Sequence, residues 1–276
     1  MAALAAAGPR PSLASGSTAP WAPRYVDPDL VTAIAAIGDP NGGRAVAVRH
    51  LGSGAGAALD ADRVVPPASL FKMGIMVATM RDVEAGRLDM DRSFEILETD
   101  WAPGAGILQD RVGDTVTVDE ALRLMTGISD NVAAFILLRA ISARRLNATT
   151  ASLGMANTTF HVDDRSDETS AGDAATILVR LAEGEAAGPD ATRHMLGLIA
   201  QEQPAAWIRA ALPPGTTVLH KSGQLPGVRN DAAIVSTATG PYVLAVLTHD
   251  LADDREGERY IRDVTRVVHS HFAGAG

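Results

Sequence analysis

Pro67-Ala68-Ser69-Leu70-Phe71-Lys72-Met73 is the stretch around which this chain is organised. Ser69 opens a long apolar run, Leu70, Phe71, Met73, Ile75, Met76, Val77 and Met80, which predicts a buried helix starting at or just before the serine. Residues three apart on a helix share a face, so Ser69 and Lys72 stand side by side. The rest of the chain adds weight to that pair, because of its 24 Lys+Arg only Lys72 and Lys221 are lysines. Arginine stays protonated, whereas a lysine that is desolvated or set beside another cation gives up its proton. A buried Ser-x-x-Lys is therefore a candidate nucleophile with its activating base. An exposed one would be only a snorkelling lysine near a serine.

The 276 residues suffice for one large domain or two interleaved ones with ample core. Hydrophobic residues at 46% and charged residues at 21% describe an ordinary globular protein. A net charge of -9 without any basic run argues against a nucleic-acid surface. The absence of cysteine excludes disulfides, thiolate metal sites and a cysteine nucleophile. The seven histidines show no metal-ligand spacing, and His269 and His271, two apart on an expected helix, cannot share a face. No metal or cofactor is expected. Residues 1 to about 22 are rich in Ala, Gly, Pro and Ser and lack the cationic start and long apolar core of a secretory signal. A disordered tail is expected through residue 24. No stretch is apolar enough to span a membrane, and the location of the protein is left open.

In chain order, Asp27-Pro28 reads as an N-cap followed by Pro, starting a helix that stops near Gly38. Residues 44–51 read as a strand, 52–56 as a turn and 57–60 as the returning strand. The nucleophile helix ends near Gly86, and 87–116 is irregular. Capping boxes at Thr117–Glu120 and Ser170–Asp173 open helices to about Met125 and Leu181, and an apolar helix runs from Val132 to Ile141. Two more helices are expected near 190–203 and 207–212. Strands at 216–222, 232–237 and 242–248 form an antiparallel meander, and an amphipathic helix closes the chain from about Asp253 to Phe272. The fold class expected is α/β (α+β): residues 25–272 as one domain, with an α/β part at about 25–66 and 214–272. A helical part, about 67–213, is inserted between its halves.

Three short motifs occur in the order Ser69-x-x-Lys72, Ser129-Asp130-Asn131, Lys221-Ser222-Gly223. In this the chain resembles the class A β-lactamases and the wider penicillin-recognising serine hydrolases, over about residues 25–272. The resemblance implies a β-lactamase/transpeptidase-like fold: an antiparallel sheet flanked by terminal helices, plus an all-helical subdomain. It implies an acyl-enzyme mechanism on a small-molecule β-lactam or a D-Ala-D-Ala-like peptide, and a secreted or periplasmic setting. Ser69 would be the nucleophile, with its own backbone N–H at the helix start helping to stabilise the oxyanion. Lys72 would be its base, Ser129 a proton shuttle to the leaving nitrogen, and Lys221 an electrostatic partner of Lys72 and of the substrate carboxylate. Asn131, Ser222, Gly223 and Gln224 would bind substrate, Gln224 through the second oxyanion N–H. Ordinary helix capping would equally explain Ser129 and Asn131. Arg229 resembles the family's carboxylate-binding arginine, one residue nearer the Lys-Ser-Gly triplet, and Trp101 falls where the family lines its cleft with an aromatic. A solvated strand arginine and a core tryptophan are equal alternatives.

The departures bear on turnover. Class A enzymes carry a Glu-x-x-Leu-Asn loop whose glutamate activates the deacylating water. The interval from Phe160 to Ser170 is too short for it, no such segment occurs, and its one glutamate, Glu168, reads as a surface residue. Phe135 stands where the family holds that glutamate with a polar side chain. A general base contributes roughly 10²–10⁴-fold, so slow deacylation is expected. The alternatives within the fold are a D-alanyl-D-alanine carboxypeptidase or esterase. Outside enzymes, the alternative is a penicillin-binding sensor domain that stays acylated.

Overall fold

The structure is a computed structural model, and it describes residues 19–161, 165–202 and 207–274. Six strands form one sheet in the order β1-β3-β2-β8-β7-β6: β1 (Tyr25–Val26), β2 (Gly43–His50), β3 (Ala55–Leu59), β6 (Val218–Leu225), β7 (Val228–Val235) and β8 (Tyr242–His249). All neighbours are antiparallel except β1, which runs parallel to β3. A two-stranded ribbon, β4 (Ser93–Glu95) with β5 (Thr115–Thr117), stands apart. The first and last thirds of the chain thus share one sheet, as the order of the elements predicts.

Both faces of the sheet are covered, which is why the middle of β2 (Ala45–Val48) and β8 from Tyr242 to Leu247 read as unbroken apolar runs. One face packs Val46, Val48, Leu244 and Val246 against Leu30 and Ile34 of α1 (Pro28–Ala35) and Tyr260, Ile261, Val264 and Val268 of α9 (Asp254–Ala273). The other face, through Ala45, Ala47, Val243, Ala245 and Leu247, joins a helical core. There α2 (Phe71–Glu84) is central, with Met73 through Met80 buried all round. A helix surrounded on every side needs no polar face. Around it stand α3 (Val118–Gly127), α4 (Asn131–Ile141), α5 (Ala143–Leu153), α6 (Ala171–Ala182) and α7 (Pro189–Ile199). The short α8 (Trp207–Ala210) packs on α9.

The departures from expectation have physical reasons. Helix α5, for which the pattern offers no signal, is mostly polar, and Ser142 serves at once as C-cap of α4 and N-cap of α5. Strand β7 begins at Val228, four residues before the expected 232, because its polar Asn230 and Asp231 are fully buried rather than part of a turn. Strand β6 correspondingly runs on to Leu225. Each capping box is only half formed. Thr117 Oγ1 and Ser170 Oγ accept the expected N–H bonds, at 3.1 Å each. Glu120, however, accepts from Arg111, and Asp173 from Ala156, Asn157 and Thr158. The tail expected through residue 24 lies outside the described residues up to residue 18, and 19–24 are not a tail. Trp21 is 3% exposed in the core, and Arg49 donates to Pro20 O.

Candidate active site

The nucleophile segment sits in a 3-10 turn (Ala68–Leu70) immediately before α2, so the helix proper starts two residues after Ser69. Ala68 has φ +47°, a left-handed conformation that a residue with a Cβ adopts at a cost of about 1–2 kcal/mol. Neighbouring groups hold it there. The buried Asn230 on β7 donates from Nδ2 to Pro66 O (2.9 Å) and Pro67 O (3.2 Å), and its Oδ1 accepts from Thr248 N (3.2 Å). Edge strand β6 presses close on the same turn. A Cβ on Gly223 would lie 2.7 Å from Ser69 N and 3.0 Å from Ala68 Cβ, so only glycine fits.

Lys72 is fully buried, and its ammonium donates to three acceptors: Ser129 O (2.5 Å), Ser129 Oγ (3.0 Å) and Asn131 Oδ1 (2.7 Å). All three are uncharged, so they satisfy its hydrogens without repaying its lost hydration. Burial first, and the Lys221 charge second, pull its pKa from the ordinary 10.5 to about 7. The free amine is therefore within reach near neutral pH.

Ser129 is aimed by its neighbour. It has φ +58°, and Asp130 clamps the bend: Oδ2 accepts from Ile107 N (2.7 Å) and Leu108 N (3.1 Å), while Oδ1 accepts from Ala133 N (2.9 Å). Asp130 is thus the cap of α4, and Ser129 and Asn131 are left to face the cleft. Asn131 Nδ2 donates to Pro103 O (2.6 Å), tying Lys72 to the 101–106 loop.

Lys221, also fully buried, ion-pairs with Glu202 and donates to Ser222 O (3.0 Å). Ser222 N–H points away from β7, to Glu202 (3.0 and 3.1 Å). Strand amides alternate with period two, so Gln224 N–H points the same way, into the cleft beside the Ser69 amide. Ser69, Ser129, Asn131, Ser222, Gly223 and Gln224 all line one continuous opening, which widens into a cleft of about 810 Å³ bounded by Phe71, Phe135, Asp167 and Val228.

Two expected residues stand outside that wall. Trp101 is 52% exposed, and it is Ala102, Pro103, Gly104 and Ala105 that line the cleft at its loop. Arg229 turns away, donating to Asp254 (2.8 Å), Glu258 (3.4 Å) and the carbonyls of Leu225 and Val228. Four polar residues that pattern reading passes over are Asp130, Glu202, Asn230 and Asp167. Asp130 lay in view inside its own motif; Glu202 and Asn230 are set by contacts more distant in sequence, and Asp167 by one six residues away. Asp167 lines the cleft and accepts from His161 N (2.9 Å), and burial raises its pKa. Glu168 is exposed; its backbone pairs with Thr159, and its carboxylate faces His161 at 3.8 Å. Among the described residues no cluster of ligands could hold a metal ion, and no helix is long and apolar enough to cross a membrane.

Residues 29–272 match the model of the β-lactamase enzyme family. The chain belongs to that family. A β-lactamase of Streptomyces cellulosae is 30% identical over 217 residues, covering 72% of this chain and 70% of the relative. The β-lactamase of Sphaerobacter thermophilus has 28% identity and a TM-score of 0.82, over 88% of this chain and 96% of that one. A point mutant of PBP-A, as an acyl-enzyme complex with penicillin G, has a TM-score of 0.86 and 28% identity, over 91% and 98% of the two chains. The β-lactamase/transpeptidase-like fold expected from the motifs is the fold observed, and this family member is a serine hydrolase.

Proposed function

We propose that the chain is acylated at Ser69 by β-lactams and releases the acyl group slowly. The observation that carries this reading is Lys72: a fully buried amine, titrating near neutrality, three positions from a half-buried serine in a cleft. Ser69 Oγ attacks the lactam carbonyl and its proton passes to Lys72 Nζ. The developing oxyanion takes the N–H groups of Ser69 and Gln224. Collapse breaks the C–N bond, and Ser129 Oγ, 3.0 Å from Lys72 Nζ, hands a proton to the leaving nitrogen. Lys72 restores that proton to Ser129, leaving an ester on Ser69.

Deacylation needs water and a second base. Glu168 faces outward, and Phe135 puts an apolar ring, 43% exposed, in the cleft wall. Asp167, which lines the cleft with Phe135 and Ser166, is the carboxylate to which we assign this role, with one oxygen engaged by the His161 amide. The penicillin G acyl-enzyme of the similar PBP-A mutant is the species this reading expects to accumulate. The test is intact-mass spectrometry after mixing with a penicillin. One covalent adduct is expected, absent from Ser69→Ala; an adduct that persists in that variant would place the nucleophile elsewhere.

A further inference from the structure

At the β6 end of the cleft the structure holds a complete receptor for a carboxylate, and the chain fills it with its own. Glu202, 2% exposed, lines the cleft with Ser69, Ser129, Ser222 and Gly223. It receives the Lys221 ammonium, the Ser222 N–H (3.0 and 3.1 Å) and the Ser222 hydroxyl (2.9 Å), and it lies 3.1 Å from His220 Nδ1, whose hydrogen bond goes to Asp231. An ammonium, an amide and a hydroxyl converging on one oxygen pair are what an anionic ligand would need.

Arg229, which stands just outside the wall, is occupied as well. It pairs with Asp254 and Glu258, and Glu258 itself lines the same opening. A substrate carboxylate arriving here would meet Glu202 and Glu258 and would find both Lys221 and Arg229 already paired. To dock it would have to displace Glu202 from its donors, leaving a buried carboxylate unpaired, or sit against it as a like charge. An uncharged group meets neither difficulty and still has the Gln224 edge to bind.

We infer that Glu202 sets the specificity of this cleft: the Ser222–Gly223–Gln224 end takes acyl compounds whose group there is uncharged, an ester or an amide, and disfavours a carboxylate. The inference rests on the acylation of Ser69 proposed above. It separates this chain from any relative in which the same donors lie open, because the selectivity comes from a residue outside the three motifs.

The experiment compares benzylpenicillin with its methyl ester, which share one lactam ring and differ only in that charge. Second-order acylation rates are read by intact mass, each divided by the compound's rate with free hydroxide. The wild-type protein should favour the ester by about tenfold or more, a ratio equal to about 1.4 kcal/mol, less than one charge-assisted hydrogen bond contributes. Glu202→Gln keeps the shape, releases Lys221 and should move the ratio at least about tenfold toward the acid. A wild-type ratio at or below one overturns the inference, and this arm stands even if the variant fails to fold. So does a folded variant with an unmoved ratio, because a merely structural glutamate would affect both compounds alike. If neither compound acylates Ser69, the proposed function itself falls, and the inference with it.

Discussion

Replacing Lys72 by methionine isolates the electrostatic strain stored at the site. A fall in pKa from 10.5 to about 7 means that folding disfavours the ammonium by about 5 kcal/mol, at 1.36 kcal/mol for each factor of ten. The sign follows from proton counts. Below pH 7 both folded and unfolded chains hold the proton, and the folded state bears the full penalty. Between pH 7 and 10.5 the unfolded chain keeps a proton that the folded one has lost, so stability rises with pH by about 1.4 kcal/mol per pH unit. Above that range the penalty is gone.

Methionine has no proton to lose. It also leaves Ser129 O, Ser129 Oγ and Asn131 Oδ1 without their donor, at roughly 1–3 kcal/mol per buried unpaired group, but that loss does not vary with pH. The stability of wild type minus Lys72→Met should therefore increase by about 2–3 kcal/mol between pH 6 and pH 9. Urea unfolding of both proteins across that range measures it, and titrations common to both cancel in the difference. Parallel curves would refute the reasoning: Lys72 would then be an ordinary ammonium and could not serve as the base.

Lys72→Arg should lose acylation nearly as completely as Lys72→Met, because a guanidinium keeps the charge and supplies no base; retention of most of the rate would reduce Lys72 to an electrostatic fixture. A pre-steady-state time course with a penicillin should show a burst followed by slow turnover. Asp167→Asn should slow the second phase by about tenfold or more, within the range of a general base, while Glu168→Gln leaves it nearly unchanged. The reverse order would move the water-activating role to Glu168, and fast turnover without accumulation of adduct would remove the slow step altogether.

What the sequence discloses here depends on how far apart the partners lie. Ser69 and Lys72 are one helical turn apart, and Asp27-Pro28 marks its helix in two residues, so both are legible locally. Ser129-Asp130-Asn131 shows its residues but not their division of labour; the cap is Asp130, and its reach to Ile107 and Leu108 needs the folded loop. Asn230 is harder still. It reads as a turn residue until the fold sets it under Pro66 and Pro67, 164 and 163 positions away. Arg229 and Trp101 look alike in sequence to residues that line a cleft. The first is drawn off by two acids of the closing helix, and the second stays outside the wall.

The two lysines carry the same argument one step further. In sequence they are equivalent exceptions to an arginine-rich chain, and in the structure both are fully buried. Their partners divide them. Lys72 is given a hydroxyl, a carbonyl and an amide, which satisfy its hydrogens without compensating its charge, and it becomes an amine that can take a proton. Lys221 is given a carboxylate, and its charge is matched in place. Lys221 repels the Lys72 ammonium while Glu202 partly offsets that repulsion. The same glutamate that closes the anion receptor therefore also limits how far the base is pushed toward its neutral form. Specificity at one end of the cleft and reactivity at its centre are coupled through one buried side chain that no motif contains.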